Sequence, residues 1–275
     1  MSGHSKWSTI KRKKAAQDAK RGQLFTKLAR EITVAARQGG GDPETNFTLR
    51  LAIERAKQAN MPKENIERAI KRGTGELRGE ALEELIYEGY APHGIALILH
   101  VVTDNRNRAV ADIRRVLNRN NGRLGESGSV TWLFDQKGYI AVETDALDPE
   151  ELALLAIDAG AEDVDIGDAL VEVYTAPEDF QKVKEVFERE NIPLASAELS
   201  MIPKSTMRLS EKDTFQVMRL IEALESLDDV QQVYSNLDIS DELMTRYDEK
   251  PSPRPGETRT GAGIQRGEGF SEEAA

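Results

Sequence analysis

Lysine and arginine side chains are concentrated at the amino terminus of this 275-residue chain. Nine of the first thirty residues are basic and one, Asp18, is acidic, although the whole chain has a formal charge of −11. Cationic groups at this density repel one another unless anions neutralise them, and the phosphates of nucleic acids are natural partners. The cluster therefore predicts a segment that binds a polyanion, with an affinity that falls steeply as salt rises.

The spacing of the basic residues favours one face of a helix. The stretch TIKRKKAAQDAK contains no glycine or proline, and its alanines and lysines are good helix formers. On such a helix one face, spanning about a third of the circumference, carries five polar residues, namely Lys13, Lys14, Gln17, Lys20 and Arg21. The alanines lie opposite, with Arg12 among them. Two other interpretations stay open: the stretch is a solvated helix end, or it docks on the acidic remainder of the chain.

Further candidates lie near this stretch and at one later turn. Trp7 either stacks on an unpaired base or packs against the start of the helical bundle. Arg106 and Arg108 follow a strand in TDNRNR, where a helix N-terminus attracts phosphate, unless Asp104 or Asn105 simply caps the helix. The candidate nucleic-acid-binding residues are Lys6, Trp7, Lys11, Arg12, Lys13, Lys14, Lys20, Arg21, Lys27, Arg30, Arg106 and Arg108.

Residue types that support catalysis or metal binding are sparse. The chain has no cysteine, which excludes disulfides and thiolate chemistry, and its three histidines lack metal-ligand spacing. We therefore expect a protein that is not an enzyme and needs no cofactor or metal. The loop GRLGESGS either forms an anion nest or is a flexible connection. No run of about 18 apolar residues and no secretory signal is present, so we expect a cytoplasmic protein with no membrane partner.

Charge and periodicity divide the chain. Residues 1–78 carry a net charge of +10 and residues 79–275 carry −21. The first part shows helical periodicity, ended by the glycines at 39–41; Asp42-Pro43 is expected to start the next helix and Pro62 a further one. Residues 139–202 read β-α-β-β-α-β, flanked on both sides by β-α-β patterns at 95–134 and 205–236.

The predicted fold class is α+β and multidomain: an all-α helical domain, then two ferredoxin-like α/β domains, one inserted in the other. The expected boundaries are 1–78 for the helical domain, 79–134 and 203–240 for the discontinuous domain, 135–202 for the insert and 241–275 for a disordered tail. The insert carries a net charge of −14. Three interpretations of this charge stay open: the insert simply has a solvated acidic surface, it keeps nucleic acid away from this part of the molecule, or it faces a basic partner protein.

Several long motifs resemble those of a known family. GHSKWSTIKRKKAAQDAKRGQLFTKLAREITVAAR, GGGDPETN, ANMPKENIERAIKRGTGE, YEGYAPHGIALIL, TDNRNR, GESGSV and IPKSTMRL are similar to the YebC/PmpR family of bacterial probable transcriptional regulators, whose mitochondrial relatives include a translational activator of cytochrome c oxidase subunit I. The resemblance runs from about Ser2 to Asn236. It implies a cytoplasmic three-domain protein with a role in gene expression through nucleic acid.

Two functions are compatible with this resemblance. The first is a DNA-binding transcriptional regulator that acts through the basic N-terminal domain. The alternative is a ribosome-associated translation factor that binds ribosomal or transfer RNA and relieves stalling at difficult, proline-rich sequences. The sequence shows no helix-turn-helix with a base-reading pattern, no zinc finger and no RNP-type aromatics, so base-specific readout is expected to be weak. The oligomeric state and the target site stay open.

Overall fold

The computed structural model describes residues 21–79, 81–144 and 147–249. Within these ranges, three α-helices precede two four-stranded antiparallel sheets, each with two helices against it. The second sheet is built from one continuous segment that interrupts the first. The predicted α+β class, with a helical N-terminal part and one α/β unit inserted in the other, is confirmed. The predicted helix over 9–20 lies outside the described residues.

The helical part is a three-helix unit with its own core. Its helices are α1 (Arg21–Gly39), α2 (Phe47–Gln58) and α3 (Lys63–Gly73). Ile32, Leu49 and Ala56 are fully buried between them. The chain leaves α1 at Gly40, whose φ of +88° is in the left-handed region that glycine adopts without strain.

The start of α2 differs from the prediction at Asp42-Pro43, because residues 43–45 form a turn. Asp42 closes this turn by accepting a hydrogen bond from the backbone N–H of Glu44. The N-cap of α2 is Asn46, which accepts from the Leu49 N–H at 3.1 Å and donates to the carbonyls of Ala35 and Gly40, both at 2.8 Å. An asparagine amide can do both, whereas an ionised aspartate has no donor.

The first sheet has the strand order β3-β1-β2-β9. Its strands are β1 (Glu83–Tyr90), β2 (Ala96–Thr103), β3 (Arg123–Leu124) and β9 (Val230–Ser235), with helices α4 (Arg106–Arg119) and α7 (Glu211–Glu225). Leu99 of β2 packs with Ile113 and Leu117 of α4 and with Leu220 of α7. Both helices therefore cover the same face of the sheet.

The second sheet has the ferredoxin-like order β5-β6-β4-β7, built by β-α-β-β-α-β. Its elements are β4 (Phe134–Glu143), α5 (Pro149–Ala159), β5 (Asp163–Ile166), β6 (Leu170–Thr175), α6 (Phe180–Arg189) and β7 (Leu194–Pro203). Ile140, Val142 and Val173 face the two helices and pack against Phe180 and Phe187.

The first unit differs from the prediction at three places: one strand was missed and two predicted strands are absent or shorter. Strand β1 lies between β3 and β2. Its EELIYEGY stretch was not predicted as a strand, and it pairs with β2 along its full length. SVTWLF is not a strand: Thr131–Leu133 form a 3₁₀ turn before β4. TMRLS contributes only β8 (Met207–Arg208), which pairs in parallel with β10 (Leu237–Asp238) outside both large sheets. These pairings depend on partners distant in sequence.

The predicted disordered tail from residue 241 is wrong for its first nine residues. They form helix α8 (Asp241–Glu249), because Met244 is buried and Tyr247 packs its ring 5.2 Å from that of Phe215. The Tyr247 hydroxyl also donates to Glu222 at 2.9 Å. Residues 250–275 lie outside the described residues.

One buried carboxylate holds α1 to the first sheet. Asp229, which precedes β9, is 7% exposed. It accepts hydrogen bonds from Arg30 of α1 at 2.9 Å and from Arg108 of α4 at 3.0 Å. We call these three residues the Asp229 junction. Two guanidinium groups neutralise one shielded charge, which fixes the angle between the helical part and the sheet.

A second buried carboxylate connects the two sheets. Glu88 of β1 is 6% exposed and accepts three backbone N–H groups, from Gly128 at 2.6 Å, Val130 at 2.7 Å and Thr131 at 2.9 Å. Burial by itself would raise the pKa of Glu88, but these hydrogen bonds outweigh it and hold the pKa below its usual value. The loop before β4 is thereby fixed.

Glu88→Gln is expected to reduce the free energy of unfolding by about 2 kcal/mol at pH 7, because an amide N–H2 then faces N–H donors. The native carboxylate has a lowered pKa, so its stabilising contribution is complete above the unfolded-state pKa and is lost as pH falls through the folded-state value. Urea unfolding at pH 7 and at pH 3.5 should show a smaller difference between variant and wild type at the lower pH. An equal difference at both values would contradict the role of the charged form.

Asp229→Asn is expected to cost about 2 kcal/mol of stability, because two guanidinium groups lose their shielded counter-charge. The matched control is Asp228→Asn, which removes an equal charge from the exposed neighbouring residue and is expected to change stability by less than about 0.5 kcal/mol. Urea denaturation of both variants measures the contrast. Equal losses of stability in the two variants would show that the Asp229 junction contributes no more than an exposed carboxylate.

Candidate nucleic-acid interface

A groove lined by arginine side chains runs between α1 and α3. Arg68 and Arg72 of α3 lie on one wall, and Arg78 follows α3 on the rim. We call this groove, with these three residues, the arginine groove. The other residues that line it are Phe25, Thr26, Ala29, Arg30, Thr33, Met61, Asn65, Ala69, Gly79 and Leu82.

The periodicity of α3 places two of these arginines. Ile66 and Ala69 are buried against α1, so Arg68 and Arg72, one helical turn apart, project from the edge of the buried face. The helices approach closely, because the Thr33 hydroxyl of α1 donates to the Ala69 carbonyl at 3.2 Å. A Cβ on Gly73 would lie 2.5 Å from the Thr33 carbonyl oxygen, so only glycine permits this approach.

The segment after α3 places the third arginine. The Leu77 N–H bonds the Lys71 carbonyl at 3.0 Å, which folds the chain back along the end of α3. The aliphatic stem of Arg72 lies against Gly79, where an added Cβ would be 3.5 Å from it. Arg78 is therefore held beside the two helical arginines rather than projecting away from them.

The charges in the arginine groove are not neutralised within the described part of the chain. Arg68, Arg72 and Arg78 are exposed, and none has a carboxylate of the described residues within 4.0 Å. Three uncompensated guanidinium groups with planar donor faces match the oxygens of phosphate groups. The groove therefore presents three exposed guanidinium groups, a chemistry that suits a polyanion.

Most of the predicted binding residues cannot be placed relative to this groove. Lys6, Trp7, Lys11, Arg12, Lys13, Lys14 and Lys20 lie outside the described residues. Arg21, the first residue of α1, is exposed, with its guanidinium 5.5 Å from the centre of the Phe25 ring. Because Phe25 lines the groove, Arg21 lies at one end of it.

Other predicted cations contact the protein itself. Lys27 donates to the carbonyl oxygen of Glu225 at 2.5 Å, and Arg30 is held in the Asp229 junction. Arg108 also pairs with Asp104, and the hydrogen bonds to Asp104 and Asp229 raise its pKa further. These side chains are engaged in the folded protein, which reduces their availability for phosphate.

The turn before α4 has both the capping residue and the exposed arginine that the sequence predicted there. Asn105 is the N-cap, and its side-chain oxygen accepts the Arg108 N–H at 3.0 Å. Arg106 is exposed at the first position of α4. The turn therefore caps its helix and also presents one guanidinium group to solvent.

The glycine loop at 122–129, by contrast, contributes the N–H of Gly128 to the Glu88 carboxylate, so this donor is already used by an internal anion.

Sequence reasoning missed the arginine groove. The signal was present in ENIERAIKRG, where Arg68 and Arg72 are four residues apart on the side of α3 next to its buried positions. Arg78 carried no such signal, because only the folded segment after α3 places it there. In the described ranges, no three acidic or histidine side chains form a metal-binding group, and no helix has the length and apolarity needed to cross a membrane.

Comparison with known proteins accounts for nearly all of the described chain. Residues 5–76 match the model of the TACO1/YebC protein N-terminal domain, and residues 82–237 match that of the TACO1/YebC second and third domain. The chain is 54% identical to a probable transcriptional regulatory protein of Dehalococcoides mccartyi over 90% of this chain and 98% of the relative. It is 53% identical to another so named from Halothermothrix orenii, over 91% and 100% respectively.

A solved structure shows the same fold. The crystal structure of a conserved hypothetical protein, Aq1575 from Aquifex aeolicus, superposes with a TM-score of 0.75 at 51% identity, covering 81% of this chain and 92% of that one. Family models and relatives together cover the helical part and both sheets. The family resemblance seen in the sequence motifs is confirmed: the chain belongs to the TACO1/YebC family, whose curated members include the probable transcriptional regulatory proteins named above.

Proposed function

We propose that this protein is a non-enzymatic, nucleic-acid-binding regulator of gene expression and that it acts as a DNA-binding transcriptional regulator. The observation that carries this proposal is the arginine groove, where Arg68, Arg72 and Arg78 have no carboxylate partner among the described residues. The names of the relatives support a role in transcription.

The chemistry of the groove fits a sugar-phosphate backbone. Guanidinium groups donate two parallel hydrogen bonds to a phosphate and keep their charge at every physiological pH. Arg68 and Arg72 are one helical turn apart, a rise of about 5.4 Å, so their guanidinium groups can contact neighbouring phosphates of one strand. The groove thus provides contacts that set position and affinity.

The residues before Arg21 are a second source of cations for the proposed site. Arg21 lies at the end of the groove, and residues 1–20, directly before it, carry six of the predicted basic residues. Affinity is then shared between a preformed site on α3 and a basic segment at the start of the chain, which we call the N-terminal arm (residues 1–20).

One feature of the groove favours the second candidate, a translation factor that binds ribosomal or transfer RNA. Among its lining residues, Asn65 is the side-chain amide suited to reading base edges, and the remaining polar contacts come from cations and hydroxyls. A site that depends on phosphate contacts distinguishes poorly between DNA and RNA. Strong selection for one promoter sequence would require shape readout instead.

The triple variant Arg68→Gln, Arg72→Gln, Arg78→Gln is expected to weaken binding to a 30-base-pair duplex by about ten-fold or more near 0.1 M salt. The plot of log K against log salt should lose about 2–3 units of slope, because up to three phosphate contacts disappear. Fluorescence anisotropy over a salt series measures both quantities.

The matched control is Arg114→Gln, Arg115→Gln, Arg119→Gln, which removes the same charge from exposed positions of α4. We expect this control to change affinity by less than about three-fold, since remote exposed charges are screened. Equal losses in the two variants would reject the arginine groove as the binding site.

DNA and RNA targets can be separated in cell lysate of the source organism. A promoter regulator should protect a discrete DNA site in the presence of excess competitor DNA. A translation factor should instead sediment with ribosomal subunits after DNase treatment, and the groove triple variant should lose that sedimentation at low salt. The second result would replace the transcriptional proposal with the translational one.

A further inference from the structure

An aromatic ring is left in solvent on the loop that joins the two sheets. Among the large apolar side chains of the described residues, Trp132 is the most exposed, at 66%. It lies in the middle of the 3₁₀ turn Thr131–Leu133, whose last residue packs into the core instead. Single exposed apolar residues are common, so the case for a ligand depends on what surrounds this ring.

The turn that carries Trp132 is held in a fixed position. The buried carboxylate of Glu88 accepts the backbone N–H of Thr131 at 2.9 Å. The indole N–H of Trp132 donates to the carbonyl oxygen of Ser129 at 3.1 Å. The ring is therefore presented in one orientation, and a ligand does not have to order it on binding.

Two further side chains adjoin this ring. The Tyr90 hydroxyl donates to the same carbonyl oxygen of Ser129, also at 3.1 Å. Arg123 lies opposite Tyr90 in the register of β1 and β3, and its guanidinium is 4.9 Å from the centre of the Tyr90 ring. The strands approach closely here, because a Cβ on Gly89 would lie 2.8 Å from the Arg123 carbonyl oxygen. We call Trp132, Tyr90 and Arg123 the tryptophan platform.

The platform carries one cation that no carboxylate neutralises. Arg123 is exposed, and no carboxylate of the described residues lies within 4.0 Å of it, including that of Glu126 in the same loop. The backbone N–H of Lys204 donates to the Leu133 carbonyl at 2.8 Å, but its ammonium group pairs with Asp135 at 3.1 Å. Within the platform, the guanidinium of Arg123 is therefore the cation available to an anionic ligand.

We propose that the tryptophan platform binds single-stranded nucleic acid, with an unpaired base stacked on Trp132 and a neighbouring phosphate on Arg123. Bases stack on exposed aromatic side chains, and a basic group beside the ring follows the backbone. The indole N–H is already bonded to Ser129, so Trp132 offers the face of its ring and not a hydrogen bond. This contact tolerates any base, in agreement with a sequence that lacks a base-reading motif.

The surroundings of the ring favour a base over a protein partner. A stable protein interface covers about 800 Å² on each side, with apolar anchors clustered at its centre. Around Trp132, by contrast, Thr131 and the loop residues 126–128 are polar or glycine and exposed. One aromatic ring within a polar rim matches a single base flanked by its sugar-phosphate backbone. The bases of a duplex already stack on one another, so a duplex does not offer one to Trp132.

This inference goes beyond the proposed function and rests on it only for the class of ligand. The arginine groove contacts phosphates, which duplex and single-stranded nucleic acids both provide. The tryptophan platform additionally requires an unpaired base. It therefore adds a preference for targets that contain a single-stranded segment, whether DNA or RNA.

The test uses the fluorescence of Trp132 in the full-length protein. The chain contains two tryptophans, so Trp7→Phe leaves Trp132 as the reporter. Twelve-nucleotide oligo-U and oligo-dT should each quench the emission by about half at saturation, because a stacked base deactivates the indole. A 12-base-pair duplex should quench it by less than about a tenth.

Quenching by either single strand supports the platform, and a difference between the two separates RNA from DNA as the source of the base. Absence of quenching by both would overturn the proposal and leave the ring to a protein partner. Equal quenching by the duplex and the single strands would overturn the requirement for an unpaired base.

Substitution of the ring measures its share of the affinity. Trp132→Ala should weaken binding of labelled oligo-U by about five-fold or more, whereas Trp132→Phe, which keeps a ring without the N–H, should restore most of the affinity. The matched control is Leu154→Ala on α5, which removes a side chain of similar exposure, 63%, and should change affinity by less than about 1.5-fold. Equal affinities of Trp132→Ala and the control would overturn the proposal. A Trp132→Phe variant as weak as Trp132→Ala would overturn stacking and assign the effect to the N–H bond.

The role of Arg123 has its own readout. Arg123→Gln should reduce the slope of log K against log salt for oligo-U by about 0.7 units, as expected when one phosphate contact of a single strand is lost. Arg114→Gln, an equal change at an exposed position of α4, should leave the slope as in the parent. Equal slopes in both variants would overturn the phosphate contact.

The groove variant Arg68→Gln, Arg72→Gln, Arg78→Gln separates this inference from the proposed function. In the Trp7→Phe background, oligo-U should still quench Trp132 in this variant, because the tryptophan platform is intact. Quenching together with unchanged duplex affinity would support the platform and reject the arginine groove. Lost quenching in the Trp7→Phe parent, with duplex affinity reduced by the groove variant, would reject the platform and leave the proposed function standing.

Discussion

The structure depends on the neutralisation of carboxylates that are buried where its parts meet. Asp229 is placed between Arg30 and Arg108, and Glu198 is bonded to Arg55, so α1, α2 and both sheets are joined by guanidinium groups. The buried carboxylate of Glu88 is stabilised in a similar way, but by backbone N–H groups. A shielded charge without its partner costs several kcal/mol, so each of these pairs limits how the neighbouring parts can be arranged.

This constraint divides the cations of the helical part into two classes. Arg30 and Arg55 face the acidic body and are used in holding the molecule together. Arg68, Arg72 and Arg78 line the groove between α1 and α3, and none of them has a carboxylate of the described residues within 4.0 Å. The division follows from the position of each residue on its helix, because a side chain that faces an acidic neighbour is neutralised and one that faces a groove is not. The net charge of +10 on residues 1–78 therefore overstates the charge that is available to a ligand.

The acidic body has the complementary role. Apolar packing of Phe47 and Leu51 against the second unit, with the Phe47 and Phe180 rings 6.0 Å apart, brings α2 to the acidic insert. The insert turns its helix-covered side towards this contact. Arginine and lysine side chains can therefore pair either with carboxylates of the protein or with phosphates of a ligand. Which pairing is stronger depends on which anion lies nearer.

The sequence alone was sufficient for the helical and α/β parts, the inserted β-α-β-β-α-β unit, the separation of charge and the family, because these depend on local periodicity, composition and contiguous motifs. It predicted helix α3 but not the groove that α3 forms with α1, and it missed β1 and helix α8. It also could not separate Arg30 and Arg108, which are bonded to Asp229, from Arg68 and Arg72, which have no such partner. Only the tertiary structure decided this, since the state of a charged side chain depends on groups that lie near it in space and far from it along the chain.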